Sequence, residues 1–160
     1  MKKIFTISMI IFIFATCSSP APSLLTLKFS NSEFTVNANN SFEVGIIVKN
    51  VNDLFACSME ITYDESVIDY QSGSLFKGSC WNGEVYKFER KESNKVNICV
   101  GLVNTGSFSG EGELFTLRFL ALTPYETSIS FENVTLIKED GQMVSGIDAI
   151  QLRDGYVIVQ

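Results

Sequence analysis

The stretch FACSMEITYD, residues 55–64, decides the fold class of this 160-residue chain. Apolar and polar or small side chains alternate through it, so that Phe55, Cys57, Met59, Ile61 and Tyr63 fall on one face of an extended backbone. A strict period of two is typical of a β-strand that buries one face, because successive side chains of a strand point to opposite sides. The stretch therefore predicts a strand rather than a helix.

The same pattern recurs on both sides of this strand. Short apolar runs are separated by clusters of Gly, Asn, Asp and Ser, and no helical period is sustained after the N-terminal segment. About nine short strands with turn signals between them predict one all-β domain over residues 25–160, an Ig-like or jelly-roll β-sandwich. Apart from residues 55–63, the runs are 25–29, 42–48, 67–70, 84–90, 95–104, 114–122, 128–137 and 149–159.

The N-terminal segment has a different composition. A basic start is followed by 13 uncharged, mostly apolar residues, Ile4 to Thr16, too few to span a bilayer but typical of a signal peptide. The run ends in Phe14-Ala15-Thr16-Cys17, which resembles a bacterial lipobox, although Thr16 stands where that motif usually has Gly, Ala or Ser. We expect a signal peptide over residues 1–16, a lipid on Cys17 and a tether over 17–24. An ordinary secretion signal with an incidental cysteine is the alternative.

Charge and composition exclude several function classes. The chain carries 12 basic and 18 acidic residues and no histidine. Catalytic triads and His-ligated zinc are therefore excluded, and the acidic balance argues against nucleic acid as a partner. Loss of residues 1–16 would leave a charge of −8, so we expect contact with the membrane only through the N-terminal lipid. The protein would be secreted and held at the bacterial cell envelope.

Three segments resemble the cohesin family, the receptor modules that bind dockerin modules in cellulosomes and on bacterial surfaces. The strand ending in Tyr63-Asp64 continues into Val67-Ile68, the loop 103–106 precedes the strand of residues 112–119, and residues 154–159 are similar to the family's closing strand. The resemblance covers nearly all of the expected mature chain. It implies a non-catalytic, cofactor-free protein-binding domain whose partner is a dockerin-type module.

The resemblance also implies a binding face on one sheet, formed by the outward positions of the strands at 55–63 and 95–104 and their neighbours. Well-known type I members have Asn and Asp where this chain has Ala56 and Ser58. For the second strand, the resemblance places Ile98, Val100 and Leu102 outward, whereas periodicity alone favours the opposite orientation, with Asn97, Cys99 and Gly101 outward. The implied face consists of Ala56, Ser58, Glu60, Thr62, Ile98, Val100, Leu102, Val103 and Asn104.

Carbohydrate binding is the alternative function. Related sandwich domains bind polysaccharides by stacking aromatic rings on sugars, and Trp81, with Tyr86 close by, is the candidate for such stacking. A loop tryptophan that packs as a lid on the edge of the sandwich is the other interpretation of Trp81. A structural envelope subunit that self-associates through an apolar stripe is a third interpretation of the whole chain.

The cysteines and acidic residues indicate no metal site and no catalytic pair. Cys57, Cys80 and Cys99 are an odd number in an exported domain, and unpaired core cysteines are the simplest expectation. If the apolar stripe of residues 96–102 faced outward, Cys57 and Cys99 would both point inward. The three cysteines lie far apart in sequence without a histidine, and the acidic residues form neither a calcium loop nor a glycosidase pair.

Overall fold

Eleven β-strands and no helix form the part of the chain that the computed structural model describes, residues 24–144 and 150–160. Within these ranges no helix has the length and apolarity needed to cross a membrane. The predicted signal peptide, Cys17 and the tether as far as residue 23 lie outside the described residues. The strands are β1 (Leu25–Phe29), β2 (Glu33–Val36), β3 (Ser41–Tyr63), β4 (Ile68–Tyr70), β5 (Phe76–Lys77), β6 (Val85–Glu92), β7 (Lys95–Leu102), β8 (Phe108–Ala121), β9 (Glu126–Lys138), β10 (Ile150–Arg153) and β11 (Gly155–Val159).

Strand β3 belongs to both layers of a sandwich. Its first half, from Ser41 to Val48, pairs with β1 and β8, and its second half, from Leu54 to Tyr63, pairs with β7 and β9. Between the halves the pairing register shifts, and Asn50 and Asp53 adopt positive φ angles of 57° and 62°. Asparagine and aspartate tolerate this left-handed conformation better than most residues. The chain therefore turns a corner here and passes from one sheet into the other.

The two layers follow from these pairings. Sheet one has the order β6, β7, second half of β3, β9, β11 and β2, and sheet two has the order β10, β1, first half of β3 and β8, with β4 and β5 on the far edge of β8. The predicted β-sandwich is confirmed. The two additions to the expected strands are β2, which adds an edge to sheet one, and β5, which is only two residues long.

The core lies between the inner faces of the two sheets. The long strands contribute alternate residues to it, as in Cys57, Met59 and Ile61 of β3 and Leu117 and Phe119 of β8, all buried to 1% exposure or less. Full burial of a large apolar side chain contributes about 1.5–3 kcal/mol. The alternation that predicted the strands is therefore the pattern that assembles the sandwich.

Polar contacts close the edge of the sandwich between β6 and the β4–β5 side of sheet two. The Lys87 Nζ donates to the Leu75 carbonyl at 2.7 Å, and the Lys91 Nζ lies 2.5 Å from the Asp69 carboxylate. Between them, the carboxylate of Glu89 accepts hydrogen bonds from the Tyr70 hydroxyl and from the backbone N–H of Gly73. Charged side chains at the inward positions of an edge strand also discourage its pairing with another chain. These contacts hold β6 in place on the sandwich.

Candidate functional site

The outer face of sheet one is apolar at one end of its strands and charged or polar at the other. Directly opposed residues of neighbouring strands point to the same side, so the pairing register gives four rows across β6, β7, β3 and β9. Two rows are apolar or small, and the next two are charged or polar. The rows are Tyr86–Gly101–Ala56–Ile137, Phe88–Cys99–Ser58–Thr135, Arg90–Asn97–Glu60–Glu132 and Glu92–Lys95–Thr62–Ser130.

The first two rows form a shallow trough. Its floor consists of the small residues Ala56, Ser58, Cys99 and Gly101 on β3 and β7. The floor is tight, because a Cβ atom added at Gly101 would lie 3.0 Å from the Cβ of Ala56. Small side chains in the centre of a sheet leave a flat depression wherever longer side chains stand on the flanking strands.

Two aromatic side chains form one wall of the trough. Tyr86 and Phe88 stand on edge strand β6, in register with Gly101 and Cys99, and are 63% and 47% exposed. Large exposed aromatic residues at adjacent outward positions are uncommon on a surface without partners, since aromatic side chains are enriched at the centres of protein interfaces. This wall is the most exposed apolar part of the face.

The opposite wall lies on β9. Ile137 is opposed to Ala56, and Met143, which is 49% exposed, forms an isolated bridge with Ile137 after the turn that follows β9. Strands in a sheet are spaced by about 4.8 Å, so β6 and β9 are about 14 Å apart. An α-helix with its side chains is about 10–12 Å across. The trough therefore has the width of one helix lying along the strands.

Ion pairs occupy the end of the face beyond the trough. The Lys95 Nζ lies 3.1 Å from the Glu60 Oε2 and 3.7 Å from the Glu92 Oε2, and the Arg90 Nε lies 3.2 Å from the Glu92 Oε1. The hydrogen bonds from Lys95 and Asn133 lower the pKa of Glu60, and the Glu60 carboxylate raises the pKa of Lys95. The face therefore presents an apolar half and a charged half to a partner.

The structure corrects the predicted face on strand β7. Ile98 and Val100 point into the core and are 2% and 0% exposed, and Leu102 is half-buried against the core. The outward placement of these three residues is wrong, because burial of the apolar set of β7 decides the register. The outward residues are Asn97, Cys99 and Gly101.

The other predicted positions lie at the surface. Ala56, Ser58, Glu60 and Thr62 occupy the outer side of β3 and are partly exposed. Val103 and Asn104 are exposed just past the end of β7. Their roles in binding stay predictions.

The expected placement of the cysteines is also corrected. Cys57 points into the core and Cys80 is buried, but Cys99 is half-buried on the outer side of β7. Burial raises the pKa of Cys57, and it raises that of Cys80 to about 12 with the nearby Glu113 carboxylate as a second cause. All three are free thiols. Of these three described cysteines, only Cys99 is therefore placed to meet a reagent or a partner.

Trp81 does not form a sugar-stacking surface. It is 2% exposed, and its indole Nε1–H donates to the backbone carbonyl of Leu114 at 2.6 Å. The side chain fills the core at the edge of the sandwich, next to the segment that leads into β6, as in the lid interpretation. Tyr86 is exposed, but it belongs to the trough and has no exposed tryptophan beside it.

Sequence reasoning missed Phe88, Ile137 and Met143 as site residues. Phe88 follows Tyr86 by two residues, the spacing that places both side chains on one face of a strand. This spacing could have identified Phe88 from the sequence. Ile137 and Met143 joined the face only through the pairing of β9 with β3, a contact across more than 70 residues that no local pattern encodes. The described residues contain no group of three or more His, Cys, Asp or Glu side chains suited to a metal ion.

Comparison with known proteins gives a match to one protein-family model. The sequence matches the family model described as Cohesin domain over residues 27–148. No curated protein sequence matches the chain.

Several solved structures share the fold. A type II cohesin domain from the cellulosome of Acetivibrio cellulolyticus superposes with a TM-score of 0.74 at 13% identity, covering 84% of this chain and 95% of its own. A non-cellulosomal cohesin from the archaeon Archaeoglobus fulgidus has a TM-score of 0.71 at 14% identity, covering 86% and 92%. A type I cohesin–dockerin complex from Clostridium thermocellum includes a chain with a TM-score of 0.69 at 13% identity, covering 89% and 97%.

Proposed function

The chain belongs to the cohesin domain family, and from that premise we propose that it is a non-catalytic docking module that binds a dockerin-type partner in the trough on sheet one. The observation that carries the proposal is that a flat floor of small residues lies beside the exposed aromatic wall of Tyr86 and Phe88. A partner helix laid along the strands would cover both.

The floor favours apolar contacts over hydrogen bonds. The positions where well-known type I cohesins have Asn and Asp hold Ala56 and Ser58 here, and the neighbouring floor residues are Cys99 and Gly101. A partner that relies on side-chain hydrogen bonds at these positions would bury unpaired polar groups, which costs about 1–3 kcal/mol for each group. We therefore expect a partner helix with apolar side chains at i, i+3 and i+4 over the floor.

The charged half of the face contributes selectivity. Glu60, Lys95, Glu92 and Arg90 are already paired with one another, so a partner gains little by adding a single charge against these four side chains. Mismatched charges would still be excluded, because like charges brought together at an interface are unfavourable. The apolar half thus supplies affinity and the charged half sets the register of the partner.

Isothermal titration of the protein with dockerin modules encoded in the same genome tests this function. We expect saturable binding of at least one of them and competition between those that bind. Absence of heat and of complex formation with every dockerin would overturn the proposal. A dockerin that binds equally well when the trough residues are replaced would reject the site and leave the function standing.

We also propose that the module is exported and held at the cell envelope by a lipid on Cys17. The support is the sequence pattern of residues 1–17 alone. Metabolic labelling with a radioactive fatty acid in a bacterial host tests this, with Cys17→Ser as the matched variant. Label that is incorporated and lost in the variant supports the anchor, whereas an unlabelled, freely secreted protein contradicts it.

A further inference from the structure

The loop between β5 and β6 contains the one Asn-Gly sequence of the chain, Asn82-Gly83. Both residues are exposed and belong to neither strand nor helix. The backbone N–H of Gly83 has no hydrogen-bond acceptor among the described residues. A free amide nitrogen next to an exposed asparagine side chain is the arrangement in which the backbone can react with that side chain.

The surroundings of this dipeptide hold it from both sides but leave the reacting atoms free. The preceding residue, Trp81, is fixed in the core by its hydrogen bond to the Leu114 carbonyl at 2.6 Å. On the other side, the Lys77 Nζ donates to the carbonyl of Gly83 at 3.0 Å, and the Glu84 carbonyl accepts from the N–H of Val103 at 3.0 Å. None of these contacts uses the side-chain amide of Asn82 or the N–H of Gly83.

From this we propose that Asn82 is a site of spontaneous covalent modification by deamidation. The backbone nitrogen of Gly83 loses its proton and attacks the side-chain carbonyl carbon Cγ of Asn82, a C–N bond forms, and the side-chain amide leaves as ammonia. Water then opens the resulting five-membered imide at either carbonyl and gives aspartate or isoaspartate. Glycine favours ring closure because it has no side chain to hinder the approach and adopts the required backbone angles readily.

The product would alter the segment that leads into the aromatic wall. Each reacted molecule gains a negative charge three residues before β6, and the isoaspartate form adds a methylene group to the backbone between Trp81 and Glu84. Hydrogen bonds hold Trp81 and the Glu84 carbonyl in place. The longer backbone must therefore displace Gly83 and disturb its hydrogen bond from Lys77. Aged protein should therefore contain an acidic isoform that differs locally at this loop.

Peptide mapping by mass spectrometry after incubation of the full folded chain at mildly alkaline pH tests the proposal. We expect deamidation at Asn82 to exceed that at the exposed asparagines Asn31, Asn52 and Asn104, none of which precedes glycine. In the Gly83→Ala variant the rate should fall by roughly tenfold, because the added methyl group hinders ring closure. This variant is expected to fold, since the new Cβ would lie 3.6 Å from Leu102, an ordinary contact, and Gly83 does not have a positive φ.

The denatured chain provides the second comparison. If the folded loop permits the reaction, Asn82 in the native protein should react within about tenfold of its rate in urea, a difference of about 1.4 kcal/mol or less in activation free energy. A native protein that keeps Asn82 intact while the denatured chain deamidates would overturn the proposal. Equal rates at Asn82 and at the three comparison asparagines would also overturn it.

Discussion

Cys57 and Cys99 lie on adjacent, paired strands but on opposite faces of sheet one. Val100 is the residue opposite Cys57, and Ser58 is opposite Cys99, so the two cysteines are diagonal neighbours offset by one position. A one-residue offset in a strand reverses the side on which a side chain stands. The relationship excludes a disulfide between them and places one thiol in the core and the other on the floor of the trough.

Thiol reactivity should follow this division. In a Cys17→Ser background at neutral pH, a maleimide is expected to modify Cys99 well before Cys57 or Cys80. Burial raises the pKa of both of these thiols and also shields them from the reagent. Intact-mass and peptide analysis would show one adduct per folded molecule and three after denaturation. Comparable native rates at all three thiols would contradict the assigned faces.

The alternating pattern of residues 55–63 was sufficient to predict that strand and its inner face, because burial of one face dictates a period of two, and the recurrence of the pattern in the other runs predicted the sandwich. The periodicity of residues 96–102 likewise favoured the inward orientation of Ile98 and Val100, and the outward placement that the resemblance suggested for them was wrong. The β9 side of the trough was not predictable in the same way. Ile137 reaches Ala56 through long-range pairing, and Met143 joins it through a single bridge.

Trp81 should be a stability residue and not a ligand contact. Trp81→Ala is expected to reduce the free energy of unfolding by about 3–5 kcal/mol, since it empties a large core position. Trp81→Phe keeps most of the side-chain volume but removes the hydrogen bond to the Leu114 carbonyl, so the free energy of unfolding should fall by about 1–2 kcal/mol. Urea denaturation followed by circular dichroism measures both. Wild-type stability in Trp81→Ala, or loss of polysaccharide retention in a folded Trp81→Phe protein, would contradict the buried placement.

The hydrogen bond between Tyr70 and Glu89 should couple the edges of the two sheets. Glu89→Ala removes the acceptor for the Tyr70 hydroxyl and for the N–H of Gly73, so a loss of about 1–3 kcal/mol in stability is expected. Tyr70→Phe serves as the partner variant in a double-mutant cycle. If the two losses were strictly additive, the contact across the edge would contribute nothing of its own.

Tyr63 should make the protein sensitive to alkali. Its hydroxyl is buried without a hydrogen-bond partner among the described residues, and burial raises its pKa to about 12. An unfolded chain releases this proton near pH 10, so the free energy of unfolding should fall between about pH 10 and pH 12. Tyr63→Phe should raise the free energy of unfolding by roughly 1 kcal/mol at neutral pH. In this variant the free energy of unfolding should also fall less steeply at alkaline pH. If the free energy of unfolding of Tyr63→Phe fell with rising pH as steeply as that of the wild type, this account of Tyr63 would be contradicted.

The affinity of the Phe88→Ala variant for a dockerin module that binds the wild-type protein tests the central claim most directly. Truncation of an aromatic anchor at an interface costs about 2 kcal/mol or more, so titration calorimetry should show affinity reduced by roughly thirtyfold, with Tyr86→Ala similar. Tyr125→Ala is the matched control, because Tyr125 is 68% exposed but lies outside the trough, and its affinity should equal that of the wild type. Unchanged affinity in a folded Phe88→Ala protein would contradict the assignment of the trough as the docking site.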